Sequence, residues 1–304
     1  MAHTNTPSAI GSWPRLGAVL ELLKPITWFA PMWAFGCGVI SSGQPILDNW
    51  SLVLFGFALT GPLVCGTSQS VNDWYDRHVD AINEPHRVIP SGRIPGRWGL
   101  GIAITWSLLS IIVAAMIGPW VLAAAIVGLA AAWAYSAPPL RLKRDGWLGN
   151  AAVGLCYEGL PWFTGAAALL GAVPDASILI LALLYSIGAH GIMTLNDFKS
   201  IKGDTLMGIR SLPVQLGIRN ASWLACVVMA VPQIFVIFLL ASWHQLSYAA
   251  GVGVLLVAQI LLMPRLLADP KKYASWYNAT GTTFYVLGML VSAFAVRSLL
   301  EAPQ

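Results

Sequence analysis

The sequence predicts an all-α membrane protein with nine transmembrane helices and a cytoplasmic N-terminus, and three observations predict it. The chain has 304 residues, of which 57% are hydrophobic and 10% charged, and its mean hydropathy is +0.70. Soluble domains carry about 25% charged residues. Apolar segments of about 20 residues, the length that crosses a bilayer, recur along the whole chain. Basic residues collect in every second connection between these segments.

The predicted spans follow one another with short connections in a single domain, residues 1–304. They are approximately 26–43, 50–72, 99–117, 119–136, 147–171, 176–195, 221–242, 246–264 and 277–299. Residues 1–25 form a short cytoplasmic lead. Lys24 near its end and Trp28 lie at the mouth of span one, where a snorkelling and interfacial anchor is favoured over a substrate contact. Spans three and four are joined only by Gly118-Pro119, which predicts a tight antiparallel pair.

The distribution of positive charge predicts the topology. Sixteen of the 17 lysines and arginines lie in the lead or in the connections after spans two, four, six and eight, and Arg297 ends the last span. By the positive-inside rule, the lead and all these connections are cytoplasmic. The basic connections therefore require no nucleic-acid partner.

The end of span two carries Asn72, Asp73, Asp76 and Asp80. If the helix continues, Asn72, Asp76 and Asp80 share one face and Asp73 lies beside it. Carboxylates at this spacing repel one another, and oxygen ligands suit Mg²⁺, which takes one or two carboxylates together with substrate phosphate oxygens. The pattern predicts a Mg²⁺ site, and a solvated acidic helix end is the alternative.

Span six ends in a second polar cluster, with Asn196, Asp197 and Asp204. The two aspartates are seven residues apart, so a continuing helix would put them on one face unless Gly203 interrupts it.

The two clusters share a pattern in which Asn-Asp is followed, 13 or 14 residues after the Asp, by the Arg of Arg-x-(Ile/Leu)-Pro. The copies lie near 72–93 and 196–213 and indicate an internal repeat, with paired acidic rims around one cavity, each backed by an arginine. Carboxylates that hold Mg²⁺ beside cations would together hold a diphosphate.

Two ionisable residues lie inside predicted spans. A carboxylate at membrane depth is costly unless it faces a cavity or a partner, so Glu158 is either functional or a protonated group hydrogen-bonded within the bundle. For His190, a hydrogen-bonded core histidine is favoured over a ligand.

These motifs resemble those of the UbiA-type intramembrane prenyltransferases. Asn72-Asp73-x-x-Asp76-x-x-x-Asp80 is similar to their first aspartate motif, and the segment 204–211 is similar to the second. The longer stretches 72–93, 157–163 and 195–200 resemble the chlorophyll and bacteriochlorophyll synthase branch. The resemblance implies nine helices around a central cavity. One departure is that many members have two or more carboxylates within five residues ending at the Asp204 position. Here residues 200–203 carry none, which leaves Asp197 as the only other carboxylate of the motif.

The resemblance implies an enzyme that uses Mg²⁺ to ionise geranylgeranyl or phytyl diphosphate and esterifies the propionate of bacteriochlorophyllide a, the final step of bacteriochlorophyll biosynthesis. Its implied place is a bacterial inner membrane, cytoplasmic or intracytoplasmic photosynthetic, with the lipid bilayer and other pigment-biosynthesis or photosystem-assembly proteins as partners. Alternative acceptors are chlorophyllide a, a quinone precursor and haem. A transporter and a pigment-binding structural subunit are alternatives of other classes.

The implied site residues fall into two groups. The catalytic residues and Mg²⁺ ligands are Asp73, Asp76, Asp80, Asp197 and Asp204, with Asn72 as a further ligand. Substrate-binding candidates comprise diphosphate-binding polar residues, aromatic rings for an allylic cation, and pigment contacts. They are Asn72, Asn196, Arg87, Lys143, Lys202 and Arg210; Tyr75, Tyr135, Trp162 and Tyr185; and Glu158 and His190. The nucleophile is an ionised carboxylate, so no catalytic base is required.

Overall fold

A computed structural model describes residues 13–301, and the regular structure in this range is helical, which confirms the all-α prediction. The helices are α1 Leu16–Leu23, α2 Phe29–Ser41, α3 Trp50–Ala58, α4 Gly66–Asn83, α5 Trp98–Ile117, α6 Pro119–Ser136, α7 Gly146–Gly154, α8 Leu160–Leu170, α9 Ala176–Asp197, α10 Ile201–Leu206, α11 Leu212–Ser242, α12 Leu246–Ala268 and α13 Pro270–Glu301. The first part of the lead, residues 1–12, lies outside the described range.

Within the described residues, seven helical rods are long and apolar enough to cross a membrane. They are α3–α4 taken together, α5, α6, α9, α11, α12 and α13. The chain is therefore an integral, multi-pass membrane protein. The other two predicted spans correspond to α2, which has 13 residues, and to the α7–α8 pair, with 9 and 11 residues. Because each of these helices is shorter than a full span, the count of nine stays a prediction.

Wide π-helical turns interrupt two of the predicted spans. Leu59–Cys65 joins α3 to α4, and Leu155–Gly159 joins α7 to α8. Pro62 lies inside the first turn and Pro161 two residues after the second. Proline has no amide proton for the regular helical bond and its ring displaces the carbonyl four residues earlier, so the backbone widens locally. Such turns are frequent at functional sites.

The second polar cluster does not lie on one continuous helix. Helix α9 ends at Asp197 and α10 begins at Ile201, whereas Gly203 lies inside α10 and causes no break. The break occurs because the Ser200 amide donates to the Asp197 carbonyl at 3.0 Å, a tighter turn than the α-helical one.

The apolar core lies between α2, α8, α9, α11, α12 and α13, whereas the polar connections meet at one end. Trp162, Tyr185 and Tyr285 are fully buried in that core. At the polar end, the Arg210 amide donates to the Arg144 carbonyl at 2.9 Å. This contact ties the connection after α6 to the one that follows α10, and both lie beside the end of α4. The side of the membrane that this end faces stays a prediction.

Candidate active site

A polar cavity of about 810 Å³ lies between the last turns of α4, the connection before α7 and the α9–α10 turn. Five of the six predicted metal ligands line it: Asn72, Asp76, Asp80, Asp197 and Asp204. The structure therefore brings the two acidic clusters together around one space, although more than a hundred residues separate them in the chain.

The α4 side of the cavity is a charge-compensated face. Because α4 is continuous to Asn83, Asp76 and Asp80 are stacked one turn apart. Lys143 donates to both oxygens of Asp76 at 2.6 Å, and Arg87 donates to Asp80 at 2.9 Å. The Arg141 guanidinium, which the sequence interpretation did not single out, lies 3.6 Å from Asp76. Asp76 and Asp80 are thus each paired with a cation that could also bind an anion in the cavity.

Asp73 lies beside this face and outside the cavity lining. It is buried, its carboxylate accepts from Lys24 at 2.6 Å, and Arg87 lies 3.5 Å away. Lys24 has a φ of 48°, in the left-handed region that L-residues other than glycine rarely adopt. The lysine expected to be an interfacial anchor is therefore held in an ion pair, while the role of Asp73 as a metal ligand stays a prediction.

The opposite side of the cavity carries two carboxylates that make hydrogen bonds rather than ion pairs, although Lys199 also lines the cavity. Asp197 accepts from the Asn150 amide at 3.2 Å, and Asp204 accepts from the Ser200 hydroxyl at 3.0 Å. Within residues 13–301 neither carboxylate belongs to a salt bridge. Asn150 was missed by sequence reasoning, since a single amide in an apolar span carries no pattern. This rim is the more available one for a metal ion.

Of the four predicted diphosphate-binding cations, Arg87 and Lys143 line the cavity, and Lys202 and Arg210 do not. Lys202 is exposed because it precedes Asp204 by two positions on α10, which places it on the opposite side of the helix. Arg210 is also exposed, and its guanidinium lies 3.4 Å from the Gln215 side chain.

The pKa values of two cations at the cavity, Lys143 and Arg87, shift in opposite directions. Burial lowers the pKa of the Lys143 ammonium, and the Asp76 carboxylate opposes this shift. Burial acts on Arg87 in the same direction, but the carboxylates of Asp73, Asp80 and Glu84 outweigh it and raise the pKa of the guanidinium. Arg87 therefore carries a permanent positive charge beside Asp80.

A second, apolar chamber of about 220 Å³ adjoins the polar cavity and shares Asn72 and Tyr135 with it. Small residues of α6 form one wall, and both π-helical turns contribute to the other walls. Gln69 and Tyr157 are polar residues in this lining, and sequence reasoning did not select either. The sequence could have indicated Gln69, because it precedes Asn72 by about one helical turn and so lies on the same face of α4.

The predicted aromatic residues divide between the chamber and the packed core. Only Tyr135 borders a cavity. Trp162 and Tyr185 stack with ring centroids 5.7 Å apart and are fully buried, and Tyr75 packs edge-on against Trp133 at 6.4 Å. Tyr75, Trp162 and Tyr185 are absent from both linings.

Three further predicted contacts, Asn196, Glu158 and His190, also lie outside both linings. Asn196 accepts from the Asn278 side chain at 2.8 Å. Glu158 is buried in the second π-helical turn, and one of its carboxylate oxygens has no hydrogen-bond partner within residues 13–301. His190 packs against the Trp147 ring at 5.7 Å. These contacts give no support to the predicted substrate-binding role of Asn196 or to the predicted pigment contacts of Glu158 and His190.

The donor set of the polar cavity fits Mg²⁺. Among residues 13–301, no group of three His, Cys, Asp or Glu side chains converges on one point. Mg²⁺ does not need such a group, because one or two carboxylates suffice when water and phosphate oxygens complete the octahedron. The cavity supplies carboxylate and amide oxygens and no thiolate or imidazole, which is the chemistry of a hard cation.

The UbiA prenyltransferase family matches residues 29–288. The chain belongs to this family. As a member of the UbiA family it is a prenyltransferase, in agreement with the resemblance of its two aspartate motifs. The matched residues include α2 through most of α13, and therefore both cavities.

Relatives of this UbiA chain include enzymes of pigment synthesis. It is 57% identical over 290 residues to the bacteriochlorophyll synthase 33 kDa chain of Cereibacter sphaeroides, a match that covers 95% of this chain and 96% of that one. It is 39% identical to the chloroplastic chlorophyll synthase of Avena sativa, covering 91% of this chain and 75% of that one. A UbiA homologue from Archaeoglobus fulgidus solved with DMAPP and Mg²⁺ shares the fold, with a TM-score of 0.64 at 19% identity over 90% of this chain and 99% of that chain.

Proposed function

We propose that the protein esterifies bacteriochlorophyllide a with geranylgeranyl or phytyl diphosphate, using Mg²⁺. The observation that carries the reaction type is the junction, at Asn72 and Tyr135, of a cavity lined by carboxylates and cations with an apolar chamber. A prenyl diphosphate has the same two parts, a polyanion and a hydrocarbon tail. The bacteriochlorophyll synthase relative, 57% identical, supports the acceptor. Chlorophyllide a is the second candidate acceptor, supported by the plant relative.

The polar cavity would hold the diphosphate. Asp197 and Asp204 on one side, and Asp76 and Asp80 with Asn72 on the other, are the residues that would hold Mg²⁺. When bound, Mg²⁺ neutralises diphosphate oxygens and favours departure of the leaving group. The cations Arg87, Arg141 and Lys143 would form charge-assisted hydrogen bonds with the same oxygens.

The apolar chamber would protect the reacting carbon. Loss of diphosphate leaves positive charge on the allylic carbon, and a site that excludes water prevents its hydrolysis. The Tyr135 ring lies at the junction of the two cavities, where its face could stabilise that charge. The acceptor propionate is ionised at neutral pH, so the chain needs no base to activate it.

The proposed setting is the inner membrane of a bacterium, cytoplasmic or intracytoplasmic photosynthetic, with the polar cavity on the cytoplasmic side. The basic connections support this orientation, since positive charge collects on the cytoplasmic side. A soluble or interfacial diphosphate would then reach Lys143 and Arg87 from the cytoplasm, while the tail stays in the hydrocarbon layer.

A turnover assay tests the proposal. Membranes containing the protein are supplied with bacteriochlorophyllide a and geranylgeranyl or phytyl diphosphate, with and without Mg²⁺. We expect esterified pigment only when Mg²⁺ is present. Folded protein that forms no product with either diphosphate would overturn the acceptor assignment, and product from chlorophyllide a, a quinone precursor or haem would replace it.

The size of the apolar chamber should also determine the length of the prenyl chain that the enzyme accepts. A side chain at Gly128 would point toward Val64 and Leu160, with its first carbon 3.7 and 3.8 Å from them, so leucine would project into the chamber. We expect Gly128→Leu to reduce kcat/KM for geranylgeranyl diphosphate about tenfold more than for the shorter geranyl diphosphate. Gly101→Leu is the matched control, because nothing lies within 4 Å of its added carbon. Equal losses with both diphosphates would contradict a tail in this chamber.

A further inference from the structure

The apolar chamber contains a hydrogen-bonded pair that the steps above leave unused. The Gln69 side-chain amide donates to the Tyr157 hydroxyl oxygen at 3.1 Å, and the Cys65 thiol lies 3.6 Å from the same oxygen. The acceptor near the Tyr157 hydroxyl proton is the Cys65 sulfur, which is a weak one, so the proton stays available to a stronger acceptor. Both side chains line the chamber. Polar donors that face apolar space are costly unless a ligand accepts from them.

Gln69 and Tyr157 lie close to the place where the reacting carbon of the prenyl diphosphate would bind. Gln69 precedes Asn72 by three residues on α4, which is about 4.5 Å along the helix axis. The carbon that carries the diphosphate must lie next to the polar rim, and therefore beside Asn72 and Tyr135. The rest of the tail can extend along α6 toward Gly128, which is seven residues, or about 10 Å, from Tyr135. Gln69 and Tyr157 are thus at the reactive end of the chamber.

Two separated elements of the fold place the pair there. Tyr157 lies within the π-helical turn Leu155–Gly159, and Cys65 is the last residue of the turn Leu59–Cys65. The two wide turns therefore meet at the Tyr157 hydroxyl. Because such turns are frequent at functional sites, their convergence on one polar group inside an apolar chamber indicates a ligand contact.

We propose that Gln69 and Tyr157 form the subsite for the acceptor carboxylate, an inference that rests on the proposed function. The Tyr157 O–H and the second Gln69 N–H donate charge-assisted hydrogen bonds to one carboxylate oxygen. The other oxygen attacks the allylic carbon. The new carbon–oxygen ester bond forms, the carbon–oxygen bond to diphosphate breaks, and its electron pair leaves with the diphosphate. The acceptor loses no proton in this step.

Binding of a pigment with and without its free carboxylate tests the subsite. The probes are bacteriochlorophyllide a and its propionate methyl ester, measured by quenching of the fluorescence of the 14 tryptophans of the full-length protein in detergent. Since hydrogen bonds to charged groups are among the stronger ones, we expect wild-type protein to bind the acid about tenfold more tightly than the ester.

Tyr157→Phe and Gln69→Leu should bring the acid-to-ester ratio close to one, and any change in the affinity for geranylgeranyl diphosphate with Mg²⁺ should be smaller than the loss of affinity for the acid. Tyr248→Phe, on α12 and outside both linings, is the matched control and should keep the wild-type ratio. A structural role alone would weaken the binding of acid and ester equally.

Two results would overturn the subsite: a wild-type ratio that persists in both variants, or a loss of affinity for the prenyl diphosphate instead of the acid. If wild-type protein esterifies bacteriochlorophyllide a in the turnover assay and either result is seen, the subsite alone is wrong. If wild-type protein forms no ester in that assay, the proposed function fails first and the subsite fails with it.

Discussion

Replacing Asp76 with alanine is expected to reduce Mg²⁺-dependent turnover about 10³-fold, the upper range for losing one electrostatic group at a reacting centre. Asp76 is the carboxylate of α4 that lines the cavity and contacts both Lys143 and Arg141. Its loss would remove a proposed Mg²⁺ ligand and leave Lys143 and Arg141 without their carboxylate partner. The measurement is initial rate against Mg²⁺ concentration, with saturating pigment and prenyl diphosphate.

The control for this prediction is Asp48→Asn. Asp48 is exposed in the connection before α3, and Asp76 lies near the other end of the membrane-length segment formed by α3 and α4. It should retain wild-type turnover. Unchanged Mg²⁺ dependence in Asp76→Ala would contradict the assignment of Asp76 to the metal site.

Replacing Arg87 with methionine is expected to lower both stability and turnover. The guanidinium contacts Asp80 at 2.9 Å and Asp73 at 3.5 Å, and both carboxylates are buried. Breaking a buried ion pair costs about 3–5 kcal/mol, and the 30% exposure of the Arg87 side chain reduces the expected loss to about 2–3 kcal/mol. Turnover should fall about 10²-fold, because the proposed contact between Arg87 and the diphosphate is lost as well.

Thermal unfolding in detergent and turnover at saturating Mg²⁺ measure these two effects. Arg93→Met is the matched control in the same connection, because Arg93 pairs with Glu21 at the surface and both side chains are exposed. Surface pairs contribute little to stability, so both readouts should stay close to wild type. A stable Arg87→Met protein would show that the two aspartates do not need this cation.

The sequence was sufficient for features that depend on local patterns. Hydropathy and charge predicted an all-helical membrane protein, and helical spacing predicted that Asp76 and Asp80 share one face. The Asn-Asp spacing at Asn72 and Asn196 identified both segments whose aspartates border the polar cavity, since each lies at the end of an apolar helix.

What the sequence did not predict depends on packing between distant helices. Nothing local shows that Lys24 meets Asp73, 49 residues away, or that Asn150 meets Asp197. Trp162, Tyr185 and Tyr135 are all aromatic residues in apolar spans, so the sequence does not distinguish them. The packing of the helices decides which ring faces a cavity. Tertiary contacts, rather than helical periodicity, therefore separate the site residues from the core residues.

The π-helical turn between α3 and α4 has a consequence for the rotational phase of the acidic face. A π-helical turn holds more residues than an α-helical one, so it acts like a residue inserted into the rod. The wide turn accommodates this residue within one turn, so the segments on either side keep their rotational phase. Removing one residue from Leu59–Cys65 would therefore leave a regular helix with Asp76 and Asp80 still facing Asp197 and Asp204, whereas removing one residue from α4 between Gly66 and Asp76 would rotate both aspartates by about 100°. The orientation of the acidic face thus tolerates a deletion in the wide turn and does not tolerate one in the α-helix that follows it.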